Sequence, residues 1–391
     1  MFAIRSHMPE ASASDLKALC VALWDWTYCS DCKNEQLCGT EDCPSRRQAE
    51  LEYYFNHYKR FTKMYEPGIH GHSAPALKSH ADLKRAAKCV RDSPKLTRQQ
   101  LKSKLDLVLL AEKQQDISDW ERDKAFAMAV KTWTMISCDL EQPDFRYLEQ
   151  GFSNVWWKPD HTVKQFFDDI FPQTAQHNNR GRRSVLPDDL KNSISARKLR
   201  RYAHVSFRAT DSLYDHLKFD RKHRIVSIFH HTAFLKEHLL LTKDLPPSAD
   251  AEACFQLGAL PRQLCLEVLD SIQTVLFPLA DKKSQSFLYY LVSTANFDPD
   301  TLSFDRTGVP YAYEPRFLYF RERLLDLYAE LENPPPRGAV EAWLQRKSGE
   351  RYVMLATLLG VIFAILLGFI GLALSGFQAW IAWQQWKHPI G

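Results

Sequence analysis

Four cysteines within fifteen residues, Cys29, Cys32, Cys38 and Cys43, carry the sharpest chemical signal in the chain. Their spacing is C-x2-C-x5-C-x4-C. Four thiolates can close a tetrahedral zinc site, and a C-x2-C pair supplies the usual chelating turn. The inner gaps differ from the long-spacer zinc patterns, so packed thiols and disulfides stand beside structural zinc as readings. A reducing cytosol counts against disulfides. Cys20, Cys89, Cys138, Cys254 and Cys265 are isolated and are expected to pack as small apolar residues.

Histidines offer a second chemistry. His70 and His72, with His80 further on, present imidazoles to a metal, although loop histidines are more often plain surface residues. His230 and His231 stand at an expected strand end beside Thr232, with Asp211, Asp215 and His216 nearby in sequence. A histidine and an aspartate can act as a base and its orienting partner. No serine or cysteine nucleophile with supporting context accompanies them. Helix capping by Thr232 and hydrogen-bonded core histidines are the plainer expectation, and no catalytic or cofactor-binding residue is assigned.

Composition excludes several classes. Only 14 glycines are present, half of them after residue 337, and the rest form no G-x-G pair. Phosphate-cradling loops need glycine for close backbone approach, which removes Rossmann, Walker and kinase-type nucleotide sites. Neither a G-x-S-x-G elbow nor an H-E-x-x-H pair occurs. Lys+Arg at 51 against Asp+Glu at 47 is too balanced for a domain that binds nucleic acid with its whole surface. One stretch is locally basic: Arg180, Arg182, Arg183, Lys191, Arg197, Lys198, Arg200, Arg201 and Arg208 face only Asp188 and Asp189. A run of this kind is usually a solvated face; as a site, it fits anionic lipid better than nucleic acid here.

The preference for lipid comes from the C-terminal region. Tyr352 to Phe377 is almost wholly apolar, and no charge occurs from Tyr352 to Trp386. As a helix those residues span roughly 39 Å, more than a hydrocarbon core of about 30 Å. Arg337, Arg346, Lys347 and Arg351 precede the span and Lys387 follows it, which places the N-terminal part in the cytosol. Trp380, Trp383 and Trp386 suit a headgroup belt. The expected arrangement is a tail-anchored protein in an ER-derived membrane. Ala356, Gly360, Ala364 and Gly368 recur every four residues, a spacing that allows a homodimer through the membrane helix.

The elements that must hold these groups are mainly helical. Ser14-to-Leu23, Leu51-to-Tyr65, Thr97-to-Leu109 and Ser118-to-Ile136 carry apolar stripes, and Thr97–Gln100, Ser118–Glu121 and Thr162–Gln165 read as capping boxes. Val205–Arg208 and Ile225–Phe229 read as two strands of a small α+β unit, with Asp211 capping a short helix between them. Helices are expected over Thr232–Leu241, from Pro261, and along Phe317–Leu331. The expected division is a helical N-terminal domain (1–172), a basic linker (173–187), an α+β and helical domain (188–332), a proline-rich spacer (333–351) and a transmembrane helix (352–377) with an aromatic flank to 386.

Arg197 to Leu239 (RKLRRYAHVSFRATDSLYDHLKFDRKHRIVSIFHHTAFLKEHL), Gly258 to Leu279, Ala125 to Cys138 and Arg346 to Pro389 together resemble a large family of filamentous-ascomycete proteins with a C-terminal membrane helix. The likeness covers most of residues 95–391. It implies a fungal membrane protein and carries over no catalytic residue, since that family has no assigned activity. The expectation is a cytosolic interaction or scaffold domain on one membrane helix, meeting lipid and a protein partner. A membrane-tethered enzyme with a metal or His/Asp site is the first alternative. A zinc-stabilised nucleic-acid binder at the ER or nuclear envelope is the second.

Overall fold

Short polar side chains set where the helices begin. In α1 (Ala13–Trp24) the Ser12 hydroxyl accepts the Asp15 N–H at 3.1 Å, while the Asp15 carboxylate accepts the Ser12 N–H at 2.9 Å. This reciprocal pairing satisfies two donors that the first helical turn leaves open. The computed structural model describes residues 8–33, 38, 43–65, 75–110, 117–140, 155–173, 193–246, 248–303, 317–334 and 350–387. After α1 come a single turn, α2 (Ser30–Lys33), then α3 (Glu52–Lys63), α4 (His80–Arg91), α5 (Arg98–Leu110) and α6 (Asp119–Thr134). Thr97 and Gln100 pair reciprocally at the start of α5, as the sequence predicts. Strands β1 (Cys138–Asp139) and β2 (Val155–Trp156) pair in parallel, and α7 (Val163–Ile170) opens on the Thr162–Gln165 box.

Residues 1–332 form one unit and 333–391 another. Of the expected linker at 173–187, only Gln173 is described. Within the first unit, α4 packs against α1, α5 and α6, and α1 also touches residues far beyond that linker. The second half contains α8 (Ala196–Tyr202), β3 (Ser206–Thr210), β4 (Phe219–Asp220), β5 (Ile225–Phe229) and α9 (Thr232–Leu241). It continues with α10 (Ala251–Gln256), α11 (Arg262–Asp270), a π-helical turn over 271–276, α12 (Lys282–Thr294) and α13 (Arg321–Glu332). The α+β unit has three strands in the order β3-β5-β4 rather than two. β3 and β5 run parallel, and β4 is antiparallel to β5. β4 has only two residues, too short for alternation to reveal it.

Buried charged groups tie elements together within each half, and Gly258 joins the halves. Glu267 on α11 is fully buried and accepts the N–H groups of Leu318, Tyr319 and Phe320 at 2.6, 2.9 and 3.1 Å, which caps α13 from a distance. Arg262 is equally buried and donates to the Leu239 carbonyl and Thr242 hydroxyl where α9 ends. Arg91 donates to the Ala22 carbonyl and to the Asp25 carboxylate at the left-handed end of α1. Gly258 lies against Arg91: a Cβ there would be 2.3 Å from the guanidinium Nε, and its φ is +71°. Its carbonyl accepts the Trp133 indole N–H at 2.9 Å.

The second unit contains α14 (Glu350–Lys387), one continuous helix that runs on through the aromatic flank at Trp380, Trp383 and Trp386. Its residues Thr357–Gln384 are long and apolar enough to cross a membrane, and none is buried inside the protein.

Gly258 tests the joint between the halves. Gly258→Ala combines a left-handed backbone with displacement of a buried arginine and should cost at least about 2 kcal/mol in chemical denaturation. In the double variant with Arg91→Ala the loss should be smaller than the sum of the two single losses, because both act through one contact.

Candidate metal centre and a histidine–aspartate cluster

The Cys-rich segment leaves α1 through Asp25, whose left-handed conformation (φ 52°) turns the chain into an extended run. Trp24, Trp26 and Tyr28 form a ladder of rings 5.9 Å apart along it. Cys29 then precedes the single turn α2, and the Cys32 N–H donates to the Cys29 sulfur at 3.5 Å. That contact is what C-x2-C spacing at the start of a helical turn produces. Cys43 is followed by Pro44, which opens a short 3-10 helix with its φ already set.

The four sulfurs lie within 4.8 Å of one another. Cys29 and Cys38 are separated by 3.9 Å, and Cys32 and Cys43 by 3.7 Å. A regular tetrahedron with zinc–sulfur bonds of about 2.3 Å has edges of about 3.8 Å. The cysteines are therefore close enough to bind a metal such as zinc. All nine cysteines are free thiols, and none forms a disulfide. A backbone hydrogen bond from Cys32 lowers the Cys29 thiol below its ordinary pKa, and one from Cys29, opposed by burial, brings Cys43 down to about 6. Cys32 goes the other way: against a lowering hydrogen bond with Ser45, desolvation and the other thiols push it up to about 12. The set thus favours thiolate at two positions and holds a proton at a third, which a bound dication would displace.

One residue that the sequence did not single out holds this segment in place. Glu237 on α9, only 3% exposed, accepts the Trp26 indole N–H at 2.9 Å and a two-pronged Arg47 contact at 2.7 and 3.0 Å. Arg47 also lies over the Trp26 ring at 5.3 Å. A single carboxylate therefore grips both flanks of the cysteine loop. Sequence offers no signal for it, because the partners lie 211 and 190 residues away.

The histidines divide. His70 and His72 lie outside the described residues. His80 is a buried structural residue rather than a surface one: its Nδ1 meets the Tyr58 hydroxyl at 2.9 Å and its Nε2 the Pro9 carbonyl at 2.7 Å. Asp211, expected to cap a helix, caps nothing; the 3-10 turn at Leu213–Asp215 starts from Ser212 with no side-chain cap. Parallel pairing explains where Asp211 goes instead. Thr210 lies opposite Phe229, so the next residues, Asp211 and His230, emerge at the same end of the sheet. The Asp211 carboxylate meets His231 Nε2 at 2.7 Å, His230 Nε2 at 3.5 Å, and, from α3, His57 Nδ1 at 3.1 Å and Arg60 at 2.9 Å. Thr232 does not cap α9 either; its hydroxyl donates to Asp300 at 2.6 Å.

This cluster could by distance also hold a metal through Asp211, His230 and His231. Its protons argue otherwise. His230 Nδ1 accepts the Asp298 N–H at 2.9 Å, so in the neutral ring the proton sits on Nε2, towards Asp211. A ligating imidazole does the reverse, presenting a lone pair to the metal and donating its other N–H. Burial works against the Asp211 charge, yet hydrogen bonds with His230, His231 and His57 hold its carboxyl well below the usual range. Among the described residues no hydroxyl or thiol hydrogen-bonds to His57, His230 or His231. Asp215 pairs with Lys218 at 2.7 Å, and His216 spans the Ser271 hydroxyl and the Phe229 N–H.

Of the basic stretch, Arg180, Arg182, Arg183 and Lys191 lie outside the described residues, while Arg197, Lys198, Arg200 and Arg201 share α8. No known protein family, curated protein or solved structure matches this chain.

Two measurements follow. Elemental analysis of the reduced chain should find one zinc per molecule, absent from a Cys29→Ser/Cys32→Ser variant. Chelation should cost the native protein at least about 3 kcal/mol of stability. Acid should destabilise the fold. Burial lowers His57, His216, His231 (to about 3) and His238 (to about 3), so below about pH 6.5 the unfolded chain takes up protons that the native one refuses. Their contribution is intact above that pH and fades as pH falls towards 3. Burial raises Glu267 and Asp298 to about 7, which acts oppositely between about pH 7 and 4, but four imidazoles face two carboxyls. The denaturant midpoint should be lower at pH 5 than at pH 7, and His238→Gln should narrow the gap by up to about 2 kcal/mol.

Proposed function

We propose that this chain is a single-pass membrane protein whose first unit works in the cytosol as a helical interaction or scaffold module stiffened by structural zinc. The observation that carries this reading is α14: a span of 28 residues, Thr357–Gln384, with its apolar side chains exposed. A helix of that length covers about 42 Å, and in water its surface would drive aggregation. A bilayer is the environment that matches it. A Cβ added at Gly360 or Gly368 would meet nothing within 4 Å, so close approach of a second helix is sterically open there.

Orientation is supported by the flanks. Arg337, Arg346, Lys347 and Arg351 precede the span and Lys387 follows it. Because cations are retained on the cytosolic side, this asymmetry supports a cytosolic first unit. Free thiols arranged for a metal also agree with a reducing compartment. The interaction role is favoured over catalysis because the imidazoles around Asp211 direct their N–H groups at its carboxylate.

Alkaline carbonate extraction of membranes from expressing cells should leave the chain in the pellet. Protease added outside intact vesicles should remove residues 1–332 and spare a fragment containing α14. Release into the supernatant, or protection of the first unit, would defeat the reading. Replacing Arg346, Lys347 and Arg351 with glutamate should turn part of the population around.

A further inference from the structure

Two neighbouring helices of the first unit, α8 and α12, combine cations with exposed aromatic rings and carry no acid of their own. Helix α8 buries Ala196 and Leu199 and turns Arg200, Arg201 and Tyr202 outward. Helix α12, which packs beside it, buries Ser284, Leu288 and Leu291 and turns Lys282, Lys283, Tyr289 and Tyr290 outward. The two are locked together through Arg200, whose guanidinium lies 4.7 Å from the Phe287 ring and 5.8 Å from the Tyr290 ring. Phe287 in turn packs on Phe207 of β3 at 5.8 Å, so the platform rests on the core. Tyr289 is 66% exposed and Leu279, just before α12, 62%.

The charge balance is lopsided. Residues 196–202 and 278–294 contain six cations and one carboxylate, Asp281. Asp281 is spent on capping α12, accepting the Lys283 N–H at 3.1 Å and the Ser284 hydroxyl at 2.6 Å. Lys198 turns to the Ser193 carbonyl at 3.0 Å and leaves the outer face to the others. Among the described residues no carboxylate lies within ion-pair distance of Arg197, Arg200, Arg201, Lys282 or Lys283. Elsewhere on the unit exposed cations do find acids, as at Lys158–Asp169, Lys164–Asp168 and Arg60–Asp211.

We propose that the face formed by α8 and α12 docks onto an anionic bilayer surface, with Arg200, Arg201, Lys282 and Lys283 on lipid phosphates and carboxylates and Tyr289, Tyr290 and Leu279 at the headgroup boundary. This rests on the membrane reading of α14. Phosphate alone would satisfy the cations of either a lipid or a nucleic acid. The exposed leucine and the tyrosines, each with an apolar ring and a polar tip, favour the lipid boundary. Each cation brought to an anionic surface multiplies association about fivefold. Covalent attachment to a membrane helix raises the local concentration of bilayer, so a contact too weak for a free protein is populated.

The test uses the full chain in nanodiscs of phosphatidylcholine alone or with about one-third phosphatidylserine, read by hydroxyl-radical labelling of Tyr289, Tyr290 and Leu279. Labelling should fall at least threefold in the anionic discs and recover at high salt, where charges are screened within about 3 Å. The charge-reversed variant R200E/R201E/K282E/K283E should incorporate equally and show no fall. Equal labelling in both lipids, with the chain co-eluting with the discs, would overturn the docking face and leave the membrane reading standing. Failure to co-elute would overturn the membrane reading itself. Protection in phosphatidylcholine discs on adding single-stranded RNA, without protection by anionic lipid, would give the face to nucleic acid and overturn the proposal.

Discussion

A carboxylate taken out of water must be given donors or lose its charge, and the first unit is organised around that requirement at Glu237. Its two oxygens are met by Trp26 from one side of the cysteine loop and by Arg47 from the other. Remove those donors and an isolated charge is left in the core; remove the carboxylate and both flanks of the loop lose their hold on α9. The geometry of four sulfurs is set locally, but their place on the protein is set by this ion pair. Other long-range joints follow the same logic: Glu267 takes three N–H groups from the start of α13, and Arg262 takes the carbonyl end of α9.

Local rules in the sequence reach a definable distance. Capping pairs three residues apart are readable because both partners lie within one turn, and Thr97–Gln100 and Thr162–Gln165 form as spaced. Helix α9 occupies Thr232–Leu241, the interval its pattern indicates. The four cysteines are legible for the same reason, since fifteen residues suffice to bring them together. Asp211 shows where such reading stops. An aspartate before a turn reads locally as a cap, yet parallel pairing of β3 and β5 delivers it to His230 and His231, and α3 adds His57. Parallel pairing leaves no turn signal between partners, so nothing in a window of ten residues announces it.

The two polar centres show how similar distances can mean different chemistry. Around the sulfurs, N–H groups point at atoms that favour the deprotonated state, the state in which a soft donor binds a cation. Around Asp211 the imidazoles already spend their protons on a carboxylate, and a guanidinium completes its shell. The first arrangement offers sulfur lone pairs to a cation; the second directs imidazole N–H groups at an anion. Distance alone would have placed a metal in both.

The separation of Trp26 from Glu237 by 211 residues also has a meaning in time. A chain made at about 5–20 residues per second needs roughly 10–40 seconds to reach the carboxylate after the indole has appeared. During synthesis the cysteine loop is therefore a nascent element without its anchor, and its four thiols are complete long before their support. Until α9 arrives, any order in the cysteine segment must come from contacts within the first half of the chain.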